Sequence, residues 1–358
     1  MAYALFASIL LSVAAHGQGL KEKIEVTLVN IDVTVTTKSH TVRGLTREDF
    51  EVLEDGVPQT ITNFYAVENT TAPHSGVVAP QAAPVGGEQL RRKVLVVVDY
   101  VHTSKINRNR ALERLEQFID ERFTTGEYDW SIAIAGMDMR VVLPLTSDKT
   151  RIRGALEAMR HDAPWRPSAG QPYVDLDVRF PFSNPEELYK DATYTIISFS
   201  AVLDAMRGFG GTEGKKALLL FSNGFGTMID RLDLATIPGA GSSRKMLTFR
   251  EELVHEANAE NLNVYIIDPQ GLDQDHVPLK RELYWLGRET GGDFLAGNHP
   301  EASLRLFDEL SSNFYSMAYR PRHPEDFKYH RITVRLKRAG SYELKYRGGY
   351  GSPPIQEQ

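Results

Sequence analysis

The run Lys93-Val94-Leu95-Val96-Val97-Val98-Asp99 constrains this chain more than any other stretch. Five consecutive apolar residues, four of them valine, suit a parallel strand covered on both faces. Asp99 then falls at the carboxyl end of the strand, the edge at which open α/β sheets place their ligand sites. Tyr100-Val101-His102-Thr103-Ser104 adds hydroxyls, and a helical pattern follows through Ala111, Leu115, Phe118, Ile119 and Arg122. This is the first βα unit of a sheet that can hold a hard cation at its edge.

Downstream, strands and helices alternate. Trp130–Ala135 and Met139–Leu143 read as a strand pair, the second ending at Pro144, followed by a helix around Lys149–Arg160. A long irregular stretch, 161–190, precedes a helix near Thr195–Met206 and the strand Ala217–Phe221. A second irregular segment covers 225–244. The helix Arg250–Asn261, strand Asn263–Ile267, helix Leu279–Thr290, a Gly291-Gly292 turn and the helix Ser303–Phe314 complete the series. This alternation predicts a doubly wound, mostly parallel sheet. Upstream, 22–68 reads as a small β module with a bulge near Leu28 and a two-residue hairpin at Asp55-Gly56. Residues 69–91, rich in Ala, Pro, Gly and Val, read as a linker or extended surface loop. The tail, 316–350, returns to strands and is expected to pack with the N-terminal module.

A length of 358 residues gives room for one large and one smaller domain. The net charge of -6 argues against a general nucleic-acid binder. The basic cluster Arg320, Arg322, Lys328, Arg331, Arg335, Lys337 and Arg338 reads as the solvent face of a strand, because Ile332, Val334 and Leu336 alternate with it. The first fifteen residues are apolar and uncharged, too short to span a membrane. They fit a secretory signal over 1–18 with Ala14 or Ala15 near the cut, although no positive residue follows Met1. The expectation is export, periplasmic or secreted, with no membrane span in the mature chain. The absence of cysteine excludes a disulfide framework.

Several patches occur together in an order that resembles the von Willebrand factor A-like proteins of the acidobacterial type. They are Val29-Asn30-Ile31-Asp32-Val33-Thr34-Val35, Gly44-Leu45-Thr46-Arg47-Glu48-Asp49-Phe50, Glu54-Asp55-Gly56-Val57-Pro58-Gln59, the Asp99 strand, Ala217–Gly224, Tyr265-Ile266-Ile267-Asp268 and Glu289-Thr290-Gly291-Gly292. The resemblance implies an α/β, Rossmann-like A domain over 92–315, with a small β module formed by the N- and C-terminal segments. It also implies protein binding, often through a metal-ion-dependent adhesion site. That site's pattern is Asp-x-Ser-x-Ser on one strand, a Thr on a second loop and an Asp before Gly on a third. Such oxygen ligands suit octahedral Mg²⁺ or Mn²⁺ with one position open for a partner's carboxylate. Mapped here, the ligands are Asp99, Thr103, Thr195 (or Ser200) and Asn223. Val101 replaces the first serine and Asn223 the third-loop carboxylate, which makes the site degenerate. The plain structural alternatives are a turn-capping carboxylate for Asp99, a tight turn for Asn223-Gly224, a strand-end Asp for Asp268 and a surface residue for His102.

Catalytic motifs are incomplete. Gly208-Phe209-Gly210-Gly211-Thr212-Glu213-Gly214-Lys215 lacks the first glycine of a phosphate loop, and Lys216 stands where Ser or Thr is required. Ser222 has Leu220 two residues before it, not the glycine of a nucleophile elbow. Ala259 stands where a zinc-protease helix beginning His255-Glu256 needs its second histidine. The reading is therefore a non-enzymatic interaction protein. Its alternative is a metal-independent structural component of an envelope complex. Both irregular segments are expected beside Asp99, and Trp165, Tyr173, Phe180, Phe182 and Tyr189 in the first suit a protein interface.

Overall fold

The computed structural model describes residues 28–38, 40–67, 91–122, 128–163, 185–212, 214–224, 251–269, 281–295, 300–322 and 328–351. The signal segment 1–18, nearly all of the linker 69–91, the segment 225–244 and the aromatic residues Trp165, Tyr173, Phe180 and Phe182 lie outside them. The described chain is mixed α/β and carries three sheets. Pairing within the two smaller sheets is entirely antiparallel, so parallel ladders are confined to the largest.

That largest sheet contains β6 (Arg92–Asp99), β7 (Tyr128–Ala135), β8 (Met139–Thr146), β9 (Lys216–Phe221), β10 (Leu262–Ile267) and β11 (Asp293–Leu295). Its spatial order is β11-β10-β9-β6-β7-β8. Only the β7–β8 edge pair is antiparallel. The valine run explains the placement of β6 at the centre. Val94, Val96 and Val98 meet α1 (Lys105–Arg122), α2 (Lys149–His161) and α6 (Pro300–Ser312) through Leu112, Leu115, Ile152, Leu156 and Phe307. Leu95 and Val97 meet α3 (Pro185–Gly210), a helix over 251–259 (α4) and α5 (Arg281–Glu289) through Val202, Met206, Leu253 and Leu286. Each face of one strand thus seeds its own core. Burial of a large aliphatic side chain contributes roughly 1.5–3 kcal/mol, so this strand anchors both layers.

The smaller sheets share one core. One has the order β14-β1-β12-β5, with β2 on β1, and the other β15-β13-β3-β4. Their strands are β1 (Val29–Thr37), β2 (His40–Thr41), β3 (Phe50–Glu54), β4 (Val57–Gln59), β5 (Ile61–Val67), β12 (Phe314–Tyr319), β13 (His330–Leu336), β14 (Glu343–Lys345) and β15 (Gly349–Tyr350). Ile31, Val33, Phe50, Val52, Tyr315, Met317, Ile332 and Val334 fill the space between them. Phe64, Phe50 and Tyr315 stack within it at centroid spacings of 5.3–5.8 Å. Asp55 and Gly56 close the β3–β4 hairpin with φ of 48° and 81°, the two left-handed residues of a type I′ turn. Along β13, Ile332 and Val334 point inward while Arg331 and Arg335 are exposed, as the alternation predicts.

The two bodies are tied by buried polar contacts. Lys215 Nζ reaches Asp32 Oδ2 at 2.6 Å and Asn263 Oδ1 at 2.7 Å. Arg347, buried, donates to the carbonyl oxygens of Asn258 and Asn30. Gly348 N donates to Glu289 O at 2.9 Å. The Thr290-Gly291-Gly292 patch sits at this seam. A Cβ on Gly292 would lie 1.9 Å from Val264 O, and Gly291 has φ +74° against the backbone of Tyr346 and Arg347.

Three sequence expectations are corrected. Residues 185–190 are helical, not irregular, so Tyr189 lies on α3, whose start matches Pro185 with Glu186 and Glu187 in the first turn. The strand β8 continues through Pro144, because it is an edge strand and its ladder is irregular opposite Trp130–Ile132. The last helix stops at Ser312, and Phe314 already belongs to β12.

Gly292→Ala should destabilise the chain by more than about 3 kcal/mol in urea unfolding, because main-chain atoms cannot move aside cheaply. Gly154→Ala, in an exposed turn of α2 with open space around it, should instead add about 0.5–1 kcal/mol. Equal effects of the two substitutions would contradict the close approach at Gly292.

Candidate functional site

The strands β6 and β9 are neighbours, yet their following helices cover opposite faces of the sheet. Their carboxyl ends therefore bound a topological switch point, where open sheets form crevices. Asp99 ends β6, Ser222 and Asn223 follow β9, and Asp268 follows β10.

Asp99 is fully buried and its carboxylate accepts four hydrogen bonds. Oδ1 takes the amides of Val101 at 3.0 Å and His102 at 3.1 Å. Oδ2 takes the Ser222 hydroxyl at 2.7 Å and pairs with His102 Nδ1 at 2.9 Å. Burial alone pushes the Asp99 pKa up, but the charge and hydrogen bonds of His102, with the Ser222 hydroxyl, hold it below the ordinary carboxylate value. The loop thus folds around an ionised group. Helix α1 has its own cap: Ser104 Oγ accepts the Asn107 amide at 3.2 Å. Asp99 is accordingly a clamp on the turn before the helix.

His102 is buried, contrary to the surface placement expected of a lone histidine, because Asp99 turns its ring inward. Thr103 is buried too, and its hydroxyl has no hydrogen-bond partner among the described residues. Asn223 Nδ2 donates to Asp268 Oδ1 at 3.1 Å, so Asp268 bonds the loop after a neighbouring strand. Thr195 lies within α3, not on a loop, and its side chain is outside the described residues; Ser200 is half-buried on the same helix. The sequence missed the roles of His102 and Ser222. Ser222 is 123 positions from Asp99, and only the parallel β6–β9 pairing brings them together.

A divalent cation does not fit this donor set as arranged. Its expected carboxylate ligand already accepts four chain donors, and an imidazole nitrogen occupies one approach to Oδ2. Val101 offers no oxygen, and Asn223 brings an uncharged amide whose Nδ2 donates to Asp268. The Thr103 hydroxyl is buried without a hydrogen bond among the described residues. Among those residues no group of three His, Cys, Asp or Glu side chains converges to hold a metal.

Beside the loop, Arg108 lies over the Tyr100 ring at 4.3 Å and donates to Asp162 O at 2.6 Å and Ala163 O at 3.3 Å. Tyr100 OH donates to Asp162 Oδ2 at 3.1 Å. These contacts fix the root of the segment that carries Trp165 at the same edge. Two large apolar side chains are exposed there: Ile106, 74% exposed, at the start of α1, and Met137, 65% exposed, in the β7–β8 turn.

Ser222→Ala should cost about 1.5–3 kcal/mol in denaturant unfolding, since it removes a donor from a buried charge. The folded Asp99 carboxyl sits below its unfolded pKa, so its contribution is present above the ordinary carboxylate range and is lost as falling pH protonates it. The stability advantage of the wild type over Asp99→Asn should therefore shrink in acid. An advantage that grows as pH falls would contradict the ionised clamp.

No family model matches the chain, and no curated protein matches it either. Among solved structures it is similar to an aerotolerance-related membrane protein from Bacteroides fragilis, with 12% identity and a TM-score of 0.37 over 61% of this chain and 98% of that one. It is similar to BatB from Bacteroides thetaiotaomicron with 14% identity and a TM-score of 0.35, over 61% and 97% of the two chains. It is also similar to the PilB minor pilin from Streptococcus sanguinis, with 11% identity and a TM-score of 0.37 over 78% and 77%. Likenesses this remote say nothing of function.

Proposed function

We propose that the chain is an exported, non-enzymatic protein-interaction module of the von Willebrand factor A type. In this reading a Rossmann-like sheet meets its partner at the carboxyl edge, and the β module built from N- and C-terminal strands supports it. The observation that carries the reading is the pair of exposed apolar residues, Ile106 and Met137, flanking the β6 loop at the switch point. Two exposed apolar side chains on the same edge of the sheet suit a contact with another protein. Trp165, Tyr173, Phe180 and Phe182, outside the described residues, and Tyr189 remain the sequence's candidates for the same interface, because Asp162 and Ala163 at the root of their segment contact Tyr100 and Arg108. The signal-like first eighteen residues support export. Among the described residues no helix is long and apolar enough to cross a membrane.

A second reading, permanent packing within an envelope assembly, draws support from the self-contained Asp99 clamp, which presents no open ligand position. Photo-crosslinking residues placed at Ile106 and Met137 in the producing cell test both. Either reading predicts discrete adducts with another protein from these positions and none from Val57, an exposed apolar residue of the distant hairpin. Adducts that still form when the protein is purified before irradiation favour the permanent assembly. Equal labelling at all three positions would sink the carboxyl-edge interface.

A further inference from the structure

A buried carboxylate must be compensated, and a cation is one way to do it. Here the chain supplies the compensation itself. Two amides hold Asp99 Oδ1, while the Ser222 hydroxyl and the His102 ring hold Oδ2. The neighbouring substitutions belong to the same arrangement. Val101 is wholly buried and fills with methyl groups the position where a hydroxyl ligand would stand. Asn223 donates its amide to Asp268, which is itself buried. A carboxylate at 223 would face the Asp268 carboxylate across about 3 Å, and two like charges that close cannot both stay ionised. The amide at 223 is therefore consistent with the buried Asp268 beside it, which a second carboxylate would oppose.

We propose that the His102 imidazole and the Ser222 hydroxyl take the place of a divalent cation at Asp99, so that the carboxyl edge is shaped and its buried carboxylate is hydrogen-bonded without metal. This rests on the reading of that edge as the interface, and it deepens it. With Asp99 held by the chain itself, recognition at this edge falls to exposed side chains such as Ile106 and Met137. The partner is then a protein with an apolar patch, and chelators leave its binding unchanged.

The test uses the full chain. Thermal unfolding is followed in EDTA and in millimolar Mg²⁺ or Mn²⁺, for the wild type, Asp99→Asn and His102→Ala. The wild type should melt at one temperature in all three buffers. The His102→Ala chain should shift its unfolding equilibrium toward the unfolded state by about ten- to a hundred-fold, because the imidazole bond to a buried charge is gone. If that variant does not fold, His102→Gln, with a neutral amide donor, takes its place and should lie between the two. A rise in the wild-type melting temperature with Mn²⁺ that vanishes in Asp99→Asn would overturn the proposal. So would a His102→Ala chain as stable as the wild type. Crosslinking at Ile106 and Met137, run in EDTA and in Mg²⁺, keeps the two readings apart. Equal yields in both buffers support metal-free binding, and Mg²⁺-dependent yields overturn it. Loss of adducts in both buffers removes the interface while the melting series still decides how Asp99 is held.

Discussion

An ionised carboxylate buried at the end of the central strand needs every lone pair met, and the architecture around Asp99 follows from that need. The amides of Val101 and His102 reach Oδ1 only if the chain turns sharply after β6, which in turn sets where α1 begins. The Ser222 hydroxyl reaches Oδ2 only because β9 lies parallel and adjacent to β6. His102 must turn inward to complete the set. One buried charge thereby fixes a loop, a strand register and a side-chain orientation at the switch point of the sheet.

The same economy of close contacts governs the seam between the two bodies. Gly291 and Gly292 let the turn before β11 pass against Val264 and the tail at Arg347. Arg347 then reaches carbonyl oxygens on α4 and β1, and Lys215 joins Asp32 to Asn263. Because α6 leads directly into β12, which lies between β1 and β5, the smaller sheets continue the larger domain.

Much of this was legible in the residues. The valine run announced a doubly covered strand, Asp55-Gly56 a type I′ hairpin, and the alternation of Ile332 and Val334 with arginines a half-exposed strand. What was not legible depended on contacts between distant segments. The role of Ser222 has no signal in sequence, since only sheet order brings it to Asp99, and the Asp99–His102 pair three residues apart is the one signal that could have been read. Pro144 looked like a strand end because only the sheet's edge position makes it tolerable. The early start of α3 was hidden among prolines and aromatics, although Pro185-Glu186-Glu187 carries a helix-start pattern. For the site, the sequence put Asp99 at the end of a strand and Asn223 after another, but could not show that the Asp99 carboxylate already accepts four hydrogen bonds.

The most direct measurement is a crystal structure of the full chain grown in millimolar MnCl₂, with anomalous data collected to locate manganese. The account predicts no manganese peak beside Asp99, with His102 Nδ1 and Ser222 Oγ both within hydrogen-bonding distance of its carboxylate. A manganese ion bound to Asp99 and Thr103, with the His102 ring swung away, would contradict it.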